Sequence, residues 1–131
     1  MKNQNPTTQI SELFKALSQP ARIEILLAIG AGEACVCHLE AVLKMRQAYI
    51  SQQLMALRQA GILDTRRDGR FIFYSLVNPA LLNLVYQAAE ALDLPAERLK
   101  LKDQEPTAAG CACPHCEPAS VNELLDITLL S

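Results

Sequence analysis

The feature that most constrains the fold of this chain is the stretch of residues 47–60, which ends at Gly61. Ile50, Leu54 and Leu57 recur at the three-and-four spacing that forms one apolar face of an α-helix. The opposite face is uncharged and suits the edges of DNA bases, because glutamine can form paired hydrogen bonds with adenine. An ordinary amphipathic surface helix has the same pattern and is the alternative interpretation. The residues of this polar face are Gln47, Ala48, Ser51, Gln52 and Met55.

Three helices are predicted before this stretch. The first ends near Pro20, and the second begins there because proline fits the first turn of a helix. The second is apolar nearly all round, so it should be the central buried helix, and Gly30 ends it. The third runs from about Val36 to Leu43. Only a few residues separate this third helix from the helix that begins at Gln47, so a helix-turn-helix is predicted. Many helical hairpins that do not bind DNA share this arrangement.

A β-hairpin is predicted directly after the helix-turn-helix. Residues 62–67 and 70–76 have the composition of strands, and Asp68-Gly69 between them is a strong signal for a two-residue turn. A hairpin in this position with arginines at its tip is typical of a winged helix, whose wing contacts the phosphate backbone. A solvated hairpin with a few arginines is the alternative. The arginines are Arg66, Arg67 and Arg70.

A further helix is predicted from Asn78 and Pro79, which supply an N-cap and a first helical residue. Apolar residues between positions 81 and 92 leave it no wide polar face, and a domain of this size has little core left to cover them. We therefore expect a subunit interface in a two-fold homodimer, the alternative being that this helix packs on its own domain. The expected fold is a dimeric winged helix-turn-helix, mainly α with a β-hairpin wing.

The chain has 131 residues, half of them apolar, which fits one globular domain. We assign residues 1–99 to a DNA-binding and dimerisation domain and residues 100–131 to a cysteine-rich C-terminal tail with a short terminal helix. No run reaches the roughly 20 apolar residues of a membrane span, and no signal-peptide core is present, so a cytoplasmic location is expected. The net charge is −2, but residues 44–70 carry six basic and two acidic residues, which favours local phosphate contact.

Three segments resemble the ArsR/SmtB family of winged-helix repressors. Residues 17–26 (LSQPARIEIL) resemble its opening motif, residues 51–63 (SQQLMALRQAGIL) its recognition helix and residues 67–76 (RDGRFIFYSL) its wing. The resemblance implies a homodimer that binds double-stranded operator DNA and is released by an inducer, commonly a metal or metalloid ion. Gln53 stands where the family usually has histidine. The predicted DNA-binding residues are Gln47, Ala48, Tyr49, Ser51, Gln52, Gln53, Arg66, Arg67 and Arg70.

The resemblance also covers a cysteine pair at the start of the third helix. Cys35 and Cys37 match the box that arsenic, cadmium and lead sensors of the family use, although His38 replaces the usual aspartate and Glu40 stands where some arsenic sensors have a third cysteine. On a formed helix the two side chains would point about 200° apart, whereas in an extended segment they lie on one side. An ion bound by both would therefore distort the first helical turn. Two buried cysteines acting as small hydrophobic residues are the alternative.

A denser cysteine cluster lies in the tail, with His115 beside it. Three thiolates in one short segment suit soft ions such as As(III), Sb(III), Cd(II) or Pb(II), and an added imidazole would suit Zn(II). The tail could form its own site or complete the site at the third helix of the partner subunit. We favour a tail-dominated site because its three thiols suffice alone. The predicted metal ligands are Cys35, Cys37, Cys111, Cys113 and Cys116.

The leading prediction is therefore a transcriptional repressor, not an enzyme, that a thiophilic metal or metalloid ion releases from its operator. A second hypothesis keeps the DNA binding but makes cysteine oxidation the signal. A third is a thiol oxidoreductase that uses Cys113 and Cys116, whose Cys-Pro-His-Cys order is similar to the active motif of thioredoxin-like enzymes. That chemistry requires a helix start within a βαβ unit, and the tail sequence predicts no such unit.

Overall fold

The computed structural model describes residues 5–99. Within this range the predicted fold class, a mainly α winged helix-turn-helix with a β-hairpin wing, is confirmed. None of the helices between these residues is long and apolar enough to cross a membrane. The elements in chain order are α1 (Pro6–Ala16), α2 (Pro20–Ile29), β1 (Glu33–Cys35), α3 (Val36–Leu43), α4 (Gln47–Gln59), β2 (Leu63–Asp68), β3 (Phe71–Leu76), α5 (Ala80–Ala91) and a short 3₁₀ helix (Ala96–Leu99).

Local sequence explains where the helices begin and end. The side chain of Asn5 accepts a hydrogen bond of 2.8 Å from a backbone N–H in the first turn of α1 and so caps that helix. Helix α2 begins at Pro20 and ends before Gly30, whose φ is 63°. Lys44 adopts the left-handed conformation after α3, and this sharp reversal of the backbone allows α4 to start at Gln47. The predicted bounds of α2 and α3 agree with the structure.

The sheet has the strand order β1-β3-β2, and β3 is antiparallel to both neighbours. Strand β1 was not predicted, because three residues show no periodicity and its partner β3 is distant in the chain. The wing turn is shifted by one residue from the prediction: Asp68 pairs with Phe71, so the turn residues are Gly69 and Arg70. A positive φ at the first turn residue, 62° at Gly69, fits a type II′ turn and places Arg70 at the tip.

The core lies where α2, α3 and α4 meet the inner face of the sheet. Ile25 of α2, Leu39 of α3 and Leu54 of α4 are fully buried, so each helix contributes side chains to one cluster. Helix α2 is the central helix, as its apolar composition predicts. Because Ile50, Leu54 and Leu57 fix one side of α4 in this core, the other side of α4 is presented to solvent.

Helices α1 and α5 have apolar side chains both toward the domain and toward solvent. Val85 and Ala89 of α5 are buried, so part of α5 packs on its own domain. No residue of α1 is buried, although Leu13 and Ala16 pack against the core. A set of large apolar side chains on or beside these two helices stays exposed. These residues are Ile10, Phe14, Val77, Tyr86, Leu92 and Leu94.

Candidate nucleic-acid interface and thiol cavity

The outer face of α4 is exposed to solvent along its length. Ser51 and Gln52 lie in the middle of this face, and both can donate and accept hydrogen bonds. The exposed face results directly from the burial of the opposite side of the helix, so its orientation is fixed by packing. The predicted contact residues that lie on the exposed surface of α4 are Gln47, Ala48, Tyr49, Ser51 and Gln52.

The N-terminal end of α4 carries positive charge in addition. Arg46 is the N-cap residue of α4, and no side chain accepts a capping hydrogen bond there. The backbone N–H groups of the first turn of α4 therefore depend on other partners. Lys44 and Arg46 are exposed beside this end, and cations next to the positive end of a helix dipole favour an anion such as a phosphate. These two residues were absent from the predicted interface, although the basic composition of residues 44–70 is a signal that includes them.

Gln53 faces the interior of the domain, so its prediction as a DNA-facing residue is corrected. The side chain is 8% exposed, and its Oε1 accepts a hydrogen bond of 2.8 Å from Nε of Arg22 in α2. Position 53 falls three residues after Ile50 and four before Leu57, and helical geometry therefore places its side chain beside the apolar ones. Because Gln53 is buried, its replacement of the family's usual histidine affects how α4 packs on α2 in this structure.

Arg66 lies in the wing, but its guanidinium is bound to Glu33 of β1. Its Nε and one Nη donate to the two carboxylate oxygens over 3.1 and 2.5 Å, which forms a bidentate ion pair between the two outer strands. The hydrogen bond to Glu33 raises the pKa of Arg66 above its ordinary value. The guanidinium also lies over the Phe73 ring, 4.8 Å from the ring centroid. Arg66 is thus engaged by the sheet and is less available to a phosphate than the sequence suggested.

Arg67 and Arg70 are the exposed arginines nearest the tip of the wing. The guanidinium of Arg70 lies 5.2 Å from the centroid of the Phe71 ring, which restricts the side chain while leaving its charge exposed. This arrangement places two cations on the hairpin, where the wing of a winged helix would meet the phosphate backbone.

A surface cavity of about 200 Å³ lies between the start of α3 and the wing. Cys35 and Cys37 line one side of it, and Arg70 and Phe71 line the other together with Ile72. The structure therefore brings the first predicted cysteine pair to the same cavity as an arginine of the predicted DNA interface. No periodicity in the sequence relates these two segments, since they meet through the pairing of β1 with β3.

The two cysteines have different environments. Cys35 is the last residue of β1 and is buried, and its Sγ accepts a hydrogen bond of 3.4 Å from the backbone N–H of His38. Cys35 therefore serves as the N-cap of α3. Cys37 lies in the first turn of α3 and is exposed. The sequence left two geometries open, a helix that contains both cysteines and an extended segment that contains both. The structure has Cys35 in an extended backbone and Cys37 in a helical one.

Two thiols alone do not complete a soft-ion site. Among residues 5–99 no group of three or more His, Cys, Asp or Glu side chains is placed to hold a metal ion. Cys111, Cys113, His115 and Cys116 lie outside the described residues. A site of three thiolates therefore requires at least one ligand from another part of the chain or from a second chain.

Helices α3 and α4 are joined by a tight turn, α4 has an exposed polar face, and the hairpin of β2 and β3 carries arginines. These features define a winged helix-turn-helix regulator of transcription. The model of the family described as bacterial regulatory protein, arsR family, matches residues 19–65. The chain is 40% identical over 92 residues to the biofilm growth-associated repressor of Agrobacterium fabrum, which covers 70% of this chain and 79% of that protein. The protein belongs to the ArsR/SmtB family of transcriptional repressors, as the sequence motifs predict.

Two further comparisons agree with this assignment. The arsenic resistance transcriptional regulator ArsR2 of Pseudomonas putida is 35% identical over 111 residues, which covers 78% of this chain and 96% of that protein. The crystal structure of the transcriptional repressor BigR from Xylella fastidiosa matches with a TM-score of 0.61 and 34% identity, over 65% of this chain and 87% of that one. The protein is a DNA-binding regulator, and the relatives and solved structures it matches are transcriptional regulators and not enzymes, which favours the predicted repressor over the oxidoreductase hypothesis.

Proposed function

We propose that this repressor binds operator DNA as a homodimer and is released when a thiophilic metal or metalloid ion binds to its cysteine thiolates. The observation that carries the proposal is the cavity of about 200 Å³ that Cys35 and Cys37 line together with Arg70. A ligand held by these thiols would lie against a side chain that we assign to DNA contact. Ligand binding and DNA binding would then affect each other.

The proposed DNA contacts follow from which side chains are exposed. The outer face of α4 would enter the major groove, where Ser51 and Gln52 reach the base edges. Arg67 and Arg70 of the wing would contact the phosphate backbone, and Lys44 and the uncapped first turn of α4 would add a phosphate contact. Gln53 is left out of this set because it is buried against α2.

The proposed dimer interface consists of the exposed apolar residues of α1 and α5. Phe14 is 54% exposed and Leu92 is 70% exposed, and such a concentration of apolar surface is typical of a subunit contact. An open cavity of about 370 Å³ lies beside the same helices and is lined by Ile10, Val77 and Leu81. A two-fold dimer would cover this surface and would present two copies of α4 to successive major grooves.

The proposed effect of the ion begins at the start of α3. Cys35 caps this helix through its Sγ, and a thiolate that coordinates an ion is a poorer partner for the N–H of His38. Because α3 packs directly on α4, a change in its first turn would move the recognition helix. Cys111, Cys113 and Cys116 would supply further thiolates, in a separate tail site or in one shared with the partner subunit. The relative named for arsenic resistance supports a soft ion, in the class of As(III), Cd(II), Pb(II) or Zn(II).

A mobility-shift assay with the DNA immediately upstream of its own gene tests the proposed function. We expect binding at low salt, and a loss of affinity of about 5- to 150-fold when one of arsenite, cadmium, lead or zinc is added in the presence of a reductant. A parallel sample with peroxide in place of the ion tests the oxidation hypothesis. Absence of binding, or release by peroxide alone, would contradict the proposal.

The substitution Phe14→Lys is expected to convert the dimer to a monomer. It places a charge in the proposed apolar interface, where its desolvation would not be compensated. Sedimentation equilibrium measures the change, and Lys15→Ala on the same helix is the matched control because Lys15 is exposed and polar. A Phe14→Lys variant that remains dimeric and folded would show that the subunits associate through another surface.

A further inference from the structure

We infer that Arg22 and Gln53 are positioning residues that fix the orientation of the recognition helix α4 relative to helix α1, without touching DNA themselves. The inference rests on the proposed function, because it takes α1 as part of the dimer interface and α4 as the helix that enters the major groove. Its basis is a polar contact inside an otherwise apolar helix packing, and this contact joins three helices.

The contact is made by one guanidinium with two acceptors. Nε of Arg22 donates to Oε1 of Gln53 on α4 over 2.8 Å, and Nη1 of Arg22 donates to the backbone carbonyl of Ala16 over 2.9 Å. Ala16 is the last residue of α1, so its carbonyl has no partner within that helix. Arg22, on α2, therefore links the C-terminal end of α1 to the inner face of α4.

The Gln53 end of this link lies on the buried, apolar side of α4, and the hydrogen bond itself is partly buried. Gln53 is the only polar residue among the buried residues of the described range, and its neighbours on α4 are Ile50, Leu54 and Leu57. Apolar contacts are not directional, and side chains of this kind tolerate small rotations of one helix over another. A hydrogen bond weakens steeply when its angle or length changes, so a polar pair in this position selects one orientation of α4.

Helix α1 has few other contacts that could set this orientation. None of its residues is buried, and only one side of it packs on the core, through Leu13 and Ala16. Its other side presents Ile10 and Phe14 to solvent, where we place the partner subunit. One path from the proposed partner subunit to the recognition helix therefore runs through α1, Arg22 and Gln53, in addition to the packing of α5 on the domain.

The consequence concerns the spacing of the two recognition helices. A dimer of this class reads two half-sites about 34 Å apart, one turn of the DNA helix, and the spacing must match in the protein and the operator. If the link fixes α4 relative to α1, its loss should make the dimer tolerant of altered half-site spacing. A contact that merely stabilises the fold would weaken binding to every operator by the same factor.

The experiment compares Gln53→Met with Gln53→Glu. Methionine keeps the unbranched shape but removes the oxygen acceptor, whereas glutamate keeps an acceptor for the guanidinium. The probes are the upstream DNA of its own gene and the same DNA with one base pair inserted between the half-sites. For Gln53→Met we expect about a tenfold loss of affinity for the native DNA and a smaller loss for the altered DNA, while Gln53→Glu keeps the native preference.

Arg22→Lys gives a second test that does not depend on position 53. Lysine keeps the charge but lacks the fork that reaches two acceptors at once, so the same loss of spacing preference is expected. Thermal unfolding confirms that each variant is folded. If folded Gln53→Met and Arg22→Lys keep the native spacing preference, the inference is overturned and the proposed function still stands. If the unaltered protein binds neither DNA, the proposed function itself is overturned.

Discussion

Replacing both Arg67 and Arg70 with alanine is expected to weaken operator binding about 100-fold and to reduce its dependence on salt. Both side chains are exposed on the wing, and the double substitution removes two cations from each protomer of the proposed dimer. Each phosphate contact that is lost lowers the slope of log K against log salt concentration by about 0.9. Fluorescence anisotropy of labelled operator DNA at several salt concentrations measures both quantities.

Two single substitutions make this result specific to the wing. Arg98→Ala removes one exposed arginine beside α2, half the charge change of the double variant, and shows how much affinity is lost per charge removed outside the wing. Arg66→Ala removes a wing arginine that is already bound to Glu33, so its effect should be smaller than that of Arg67→Ala or Arg70→Ala. Native affinity and a native salt slope in the double variant would exclude the wing from the DNA interface.

Cys113→Ser and Cys116→Ser are each expected to abolish release by the inducing ion while DNA binding stays at the native level. Serine is close in size to cysteine but lacks the soft thiolate that these ions require. Neither position belongs to the recognition helix or the wing, so affinity for DNA without the ion should not change. The measurement is operator anisotropy as a function of ion concentration, in the presence of a reductant.

Cys37→Ser distinguishes the two arrangements of the cysteines. Cys37 is exposed at the start of α3, and its substitution leaves the buried helix cap at Cys35 in place. A separate tail site predicts normal release in this variant, whereas a shared site predicts its loss. If both tail variants release DNA normally with every ion tested, the tail is not the sensor.

Much of the candidate DNA interface could be predicted because it depends on local spacing. The burial of Ile50, Leu54 and Leu57 follows from helical periodicity, and the exposure of Ser51 and Gln52 follows from the same pattern. The inward position of Gln53 was also present in this spacing, since it shares the face of the three apolar residues. The resemblance of residues 51–63 to a recognition helix, by contrast, implied a DNA contact at position 53.

Contacts between distant segments could not be predicted in this way. The pairing of Glu33 with Arg66 depends on β1, a strand of three residues that forms only because β3 offers it an edge. The cavity that joins Cys35 to Arg70 arises from the same strand pairing. Turn geometry was close to the prediction, but the register of the hairpin moved the turn to Gly69 and Arg70.

The sequence by itself determined the order of the helices, the position of the recognition helix and the presence of a wing, because periodicity, proline and glycine act within a few residues. Only the tertiary structure decided which polar side chains of the candidate DNA interface stay exposed without a partner in the sheet or core, and which are bound to other parts of the domain. Arg66 and Gln53 have side chains of types that bind DNA, but Arg66 is hydrogen-bonded to Glu33 and Gln53 to Arg22. Such partners are brought together by strand pairing and helix packing across the chain, which local sequence does not encode.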